Sequence, residues 1–183
     1  MRAVYTIGLL ALLFAAVGVA YSLWSDQLTV KTVVNTGEVK VAFDPNSLQV
    51  SDNGPDPQAQ GYNNQEELDV AQASLQVSNQ DNDGNAIELT FTISNAYPGY
   101  KACATFDVKN IGTIPVDLTK AELQNVPSDA LDVTITPTPS DNVRIDNGGS
   151  QAFQLCVTVK DDAQENAQYS FDLLLEFTQW NGQ

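Results

Sequence analysis

The chain predicts an all-β fold, a jelly-roll-like β-sandwich in a single domain, on three observations. Beyond the first twenty residues apolar side chains alternate at period two rather than 3.6, the mark of strands with one face buried. Strong punctuation by Gly, Pro, Asn and Asp recurs between the alternating runs. No helical pattern stands out beyond the apolar N-terminal segment, and roughly nine short strands suit a Greek-key or jelly-roll sandwich better than a smaller immunoglobulin type.

Each element can be justified in order. Residues 7–20, "IGLLALLFAAVGVA", are uncharged and follow Arg2, with small residues at the −3 and −1 positions of a cut after Ala20. This is the layout of a signal peptide over residues 1–20. The competing expectation is an uncut membrane anchor over residues 3–23, just long enough to span. "DQLTVKTVV" then places Leu28, Val30 and Val34 on one face, "NTG" (35–37) marks a turn, and "EVKVAF" reads as a second strand. Residues 44–70 are rich in Pro, Gly, Asn, Asp and Gln and read as a surface excursion, with a short helical turn near 65–73. Seven further strands follow: "SLQVSN", "AIELTFTIS", "KACATFDVKN", "PVDLTKAEL", "LDVTITP", "AFQLCVTVK" and "YSFDLLLEFTQW". With no repeat and no dividing linker, residues 36–183 form one domain.

Composition excludes several functions. Of 183 residues 23 are acidic and eight are Lys or Arg, a formal charge of −15. So acidic a chain, with its few basic residues scattered, is not built to neutralise phosphates, and no nucleic-acid partner is expected. There is no histidine, which removes the commonest general base and zinc ligand. The carboxylate runs "EELD" and "KDDAQE" read as solvated loops. No enzymatic activity and no cofactor are expected.

The two cysteines point to export chemistry. On "KACATFDVKN" the residues Ala102, Ala104, Phe106 and Val108 share one face and Cys103 lies on the other. On "AFQLCVTVK" the residues Phe153, Leu155, Val157 and Val159 share a face and Cys156 opposes them. Both sulfurs leave the polar face of a strand, as a disulfide between neighbouring strands requires.

In "NQDNDGNAIEL", Asn79, Asp81 and Asp83 before Gly84 match the opening of an oxygen-rich calcium loop. Thr90 stands where the bidentate Glu belongs, and Glu88 falls two residues early. The match is incomplete. An exposed turn is the expectation, with no metal and only a weak calcium candidate on Asn79, Asp81, Asp83 and Glu88.

Tyr21 and Trp24 precede the first strand, so cleavage after Ala20 would leave an apolar strand hanging from the domain. An exposed strand of that kind needs another chain to cover it. Three blocks bear on this: "YSLWSDQLTVKTVVNTGEVKV", "NAYPGYKACATFDVKNIGTIPVDL" and the closing "YSFDLLLEFTQWN". In order and spacing they resemble the TasA/camelysin-type secreted biofilm matrix fibre proteins and related archaeal bundling pilins. The resemblance implies a jelly-roll subunit of an extracellular, cell-surface filament that polymerises head-to-tail by donor-strand complementation. Its donor would be residues 21–35, with Tyr21, Trp24, Leu28, Val30 and Val34 as side chains for self-assembly. Its partners would be copies of itself, with lateral filament–filament contacts, and the membrane would be met only through an uncleaved signal segment. A peptidase label carried by some members is not expected here, since H-E-x-x-H cannot be written without histidine. The alternative is a monomeric, membrane-anchored β-sandwich binding module on the cell surface.

Overall fold

A computed structural model describes residues 2–21, 28–52, 71–164 and 166–181. The chain forms two units, Met1–Thr36 and Gly37–Gln183. In the first, the apolar run is a helix, α1 (Arg2–Tyr21), about 30 Å long at 1.5 Å per residue. Side chains 5–14 are exposed along it.

Among its described residues the second unit has ten strands: β1 (Val41–Phe43), β2 (Gln49–Asp52), β3 (Gln72–Gln80), β4 (Ala86–Ser94), β5 (Lys101–Asn110), β6 (Val116–Gln124), β7 (Leu131–Thr136), β8 (Arg144–Ile145), β9 (Ser150–Val159) and β10 (Asp172–Gln179). All pairings are antiparallel. One sheet runs β3-β4-β1-β5-β9-β7, with β2 also on β5, and the other runs β10-β6-β8.

The central strands β5 and β9 show why this is a sandwich. Ala102, Ala104, Phe106 and Val108 are buried on β5, as are Phe153, Leu155, Val157 and Val159 on β9. Their register puts Phe106 opposite Phe153, with the rings stacked at 5.9 Å. Val116 and Leu118 of β6 and Ile145 of β8 close the same core from the second sheet. Each such side chain contributes about 1.5–3 kcal/mol on leaving water. A second cluster around Tyr100, Ala102, Leu131 and Val157 extends the core and is flanked by Tyr169 and Phe171.

Several expectations need correction. Residues 28–40 carry a strand pattern but form no strand, and no turn forms at 35–37. Alternation prepares a segment for pairing, yet a strand exists only where an edge accepts it, and among the described residues none is paired with 28–36. The second expected strand shrinks to β1. Conversely, β2 lies inside the stretch read as surface excursion, and its partner β5 rather than its own pattern makes it a strand. The helical turn expected near 65–73 falls mostly outside the described residues, and β3 has begun by Gln72.

Candidate assembly site

The root of the N-terminal segment is held tightly. Glu38 N–H donates to Thr113 Oγ1 at 2.8 Å, and Thr113 N–H returns a bond to the Glu38 carbonyl at 2.9 Å. The Lys40 carbonyl accepts from both Ile111 and Gly112 N–H. Two glycines permit this approach. A Cβ on Gly37 would collide with the Ile114 side chain, and one on Gly112 with the backbone of Glu38 and Lys40. Gly37 thus serves close packing rather than the turn its neighbours Asn35 and Thr36 suggested.

Asn110 shapes the loop that does the holding. It is 1 % exposed, donates from Nδ2 to the carbonyls of Ile114 at 2.8 Å and Ile145 at 3.0 Å, and accepts from Gly112 N–H at 3.0 Å. Every hydrogen-bonding site of the amide that the fold buries is matched to a backbone group.

Upstream of this root the large apolar side chains of the described residues are bare. Leu28 is 92 % exposed, Val30 86 % and Val34 79 %, and Val33 is exposed as well. Of the other residues expected in the donor, Trp24 lies outside the described residues. Tyr21 is the last residue of α1, and its side chain is not among those described.

The domain has a matching cleft. Residues of β1 and β5 (Val41, Phe43 and Val108), Ala86 and Ile87 of β4, and Leu173, Leu174, Leu175 and Phe177 of β10 line it, around a volume of about 210 Å³. Both β4 and β10 are half-paired strands. Among the described residues β10 pairs only with β6, and β4 beyond Ala86 pairs only with β3. Both also leave their inward rows half-buried: Leu89, Phe91 and Ile93 on β4, and Leu173, Leu175 and Phe177 on β10.

The disulfide is formed as expected. Cys103 and Cys156 face each other across β5 and β9, with S–S 2.07 Å and Cα atoms 4.1 Å apart.

The calcium candidates come together at the β3–β4 turn, where Asn79 is paired with Glu88. A cation already sits there. Lys40 Nζ lies 2.7 Å from Asp83 and 3.1 Å from Asp81, and Asn79 Oδ1 is taken by Gln80 N–H. Asp81 accepts from the Asn85 side chain and backbone and from Asp83 N–H. These bonds, Asn85 first, hold its carboxyl far below the usual range. Asp83 and then Asp81 raise the Lys40 ammonium in turn. Among the described residues no group of three or more Cys, Asp or Glu stands in metal-holding geometry.

No family model, no curated protein and no solved structure matches this chain.

Proposed function

We propose that the protein is a structural subunit of an extracellular filament, joined head-to-tail by donor strands. In this reading residues 28–34 of one copy fill the cleft between β4 and β10 of the next. The observation that carries it is the pairing of an unfilled apolar cleft, walled by two half-paired strands, with an exposed alternating apolar segment in the same chain. Seven extended residues span about 23 Å, and the eight of β10 about 27 Å, so the lengths agree. Leu28, Val30 and Val34 are the knobs, and the open edges of β4 and β10 supply main-chain partners. Burying three such side chains contributes about 5–9 kcal/mol before association costs. The joint is heterologous, and repetition without closure yields a filament. In this reading a donor seated in the cleft would complete a layer β8-β6-β10-donor-β4-β3, as a jelly roll requires. The resemblance to TasA/camelysin-type fibre proteins points the same way, as does the disulfide, which suits an oxidising exterior.

The test uses the full chain. Val30→Cys in one preparation and Leu175→Cys in another, both on the inward face, should cross-link only when mixed, and the deletion of residues 21–34 should abolish filaments in electron micrographs while the β circular dichroism remains. Filaments that persist without residues 21–34 would sink the reading.

A further inference from the structure

We infer that the outer edge of β3 is a second, separate contact surface, on which another copy of this chain pairs its own β3 antiparallel across a two-fold axis. The observation is one of missing protection. Edge strands expose unpaired N–H and C=O groups, and soluble proteins blunt them with charge, proline or brevity. Among the described residues the other edges follow that rule, the open side of β4 included, which carries Glu88. β2 carries Asp52, β7 carries Asp132, β8 is two residues long and carries Arg144, and β10 carries Asp172 and Glu176. β3 is nine residues, Gln-Ala-Ser-Leu-Gln-Val-Ser-Asn-Gln, without one charge or proline. It pairs with β4 alone among the described residues.

Charge selects the occupant. Two copies of a chain at −15 repel wherever carboxylates face each other. Among the described residues β3 is the one long edge where they can meet without opposing like charges. Strand parity narrows the geometry. Gln72, Ser74 and Gln76 face out, while Ala73, Leu75 and Val77 face in and are half-buried. An antiparallel pair keeps faces matched only if the two-fold passes through a residue rather than between two. A bulge disturbs the register after Val77, so the regular stretch is Gln72–Val77. A two-fold through Leu75 uses five of those six residues, Ala73–Val77. It sets Leu75 against its own copy, Ala73 against Val77, and Ser74 against Gln76, and carries the apolar row of one sheet into the next. An isologous contact of this kind closes on itself and joins two copies. It is distinct from the head-to-tail joint and does not depend on it.

The test again uses the full chain. Ser74→Cys protein mixed with Gln76→Cys protein should give a disulfide-linked dimer on mild oxidation, at least tenfold above either variant alone. Placing Glu at both Ser74 and Gln76 sets carboxylates directly opposite each other. It should abolish side-by-side association, with circular dichroism unchanged because both positions are exposed. The failure of this proposal is separable from that of the filament. Removal of residues 21–34 should leave the mixed cross-link intact. A cross-link that vanishes with that deletion would make β3 the seat of the N-terminal segment and overturn the proposal. So would the absence of any cross-link, or equal cross-linking in the two single variants.

Discussion

Asn110 is the only polar side chain buried in the core among the described residues, and its three bonds tie together loops distant in sequence. Replacing it by Leu keeps the bulk but takes a donor from two carbonyls, while Gly112 N–H keeps its bond to the Lys40 carbonyl. Each orphaned group costs about 1–3 kcal/mol, so Asn110→Leu should destabilise by about 3 kcal/mol or more. For a domain of this size that lowers Tm by roughly 10 °C, measurable by thermal circular dichroism. Asn110→Leu protein melting with the parent would show the loop to be held by other means. The role was hidden in the sequence, where Asn before Ile-Gly-Thr reads simply as punctuation. Gly99 was more legible. Its φ of 88° is the left-handed value that the third residue of a Tyr-Pro-Gly-Tyr turn demands, and Tyr100 N–H closes that turn on Tyr97. Tyr100 itself ends fully buried, with its hydroxyl on Asp52 at 3.0 Å.

At the scale of elements, long strands with one buried face could be read directly. β4 and β5 fall on their expected limits, and the phases that set Cys103 and Cys156 on the polar faces follow from period two alone. What escaped were elements decided by neighbours. β2 has a partner but little pattern, residues 28–36 have pattern but no described partner, and β8 is two residues recruited by β6. The cleft escaped for a related reason, since it is defined by a gap between β4 and β10 and not by any pattern within one strand. The staple between β5 and β9 carries the prediction at this scale. It spans 53 residues, and in the chain-entropy model closing such a loop contributes about 4 kcal/mol. Reduction, or Cys103→Ala with Cys156→Ala, should lower the denaturant midpoint accordingly while native circular dichroism is kept. A midpoint unmoved by reductant would mean the ladder alone sets stability.

The whole molecule is an acidic body with no histidine, so no unperturbed side chain titrates between about pH 5 and 9. Asp44, Asp81, Glu122 and Asp141 are all held below the ordinary carboxylate range, by Lys109, Asn85, Lys120 and Thr138 respectively as the leading causes. A depressed carboxyl adds stability above its unfolded pKa, and loses it only as pH falls through the lower folded value. Lys40 and Lys120 are raised, chiefly by Asp83 and Glu122. Their contribution is complete below the unfolded value and fades as pH climbs through the folded one. Tm should therefore hold a plateau from about pH 5 to 9 and fall on both sides. A slope inside that window would mean that a group outside these pairs governs stability. The staple has a further, mechanical meaning. In the proposed filament, if a subunit is pulled until the sandwich gives way, the chain between Cys103 and Cys156 stays out of the line of tension. At about 3.4 Å per residue those 53 steps withhold about 180 Å of extension. An oxidised fibre would then reach its elastic limit early and resist overstretching, whereas a reduced one would pay out more slack before going taut.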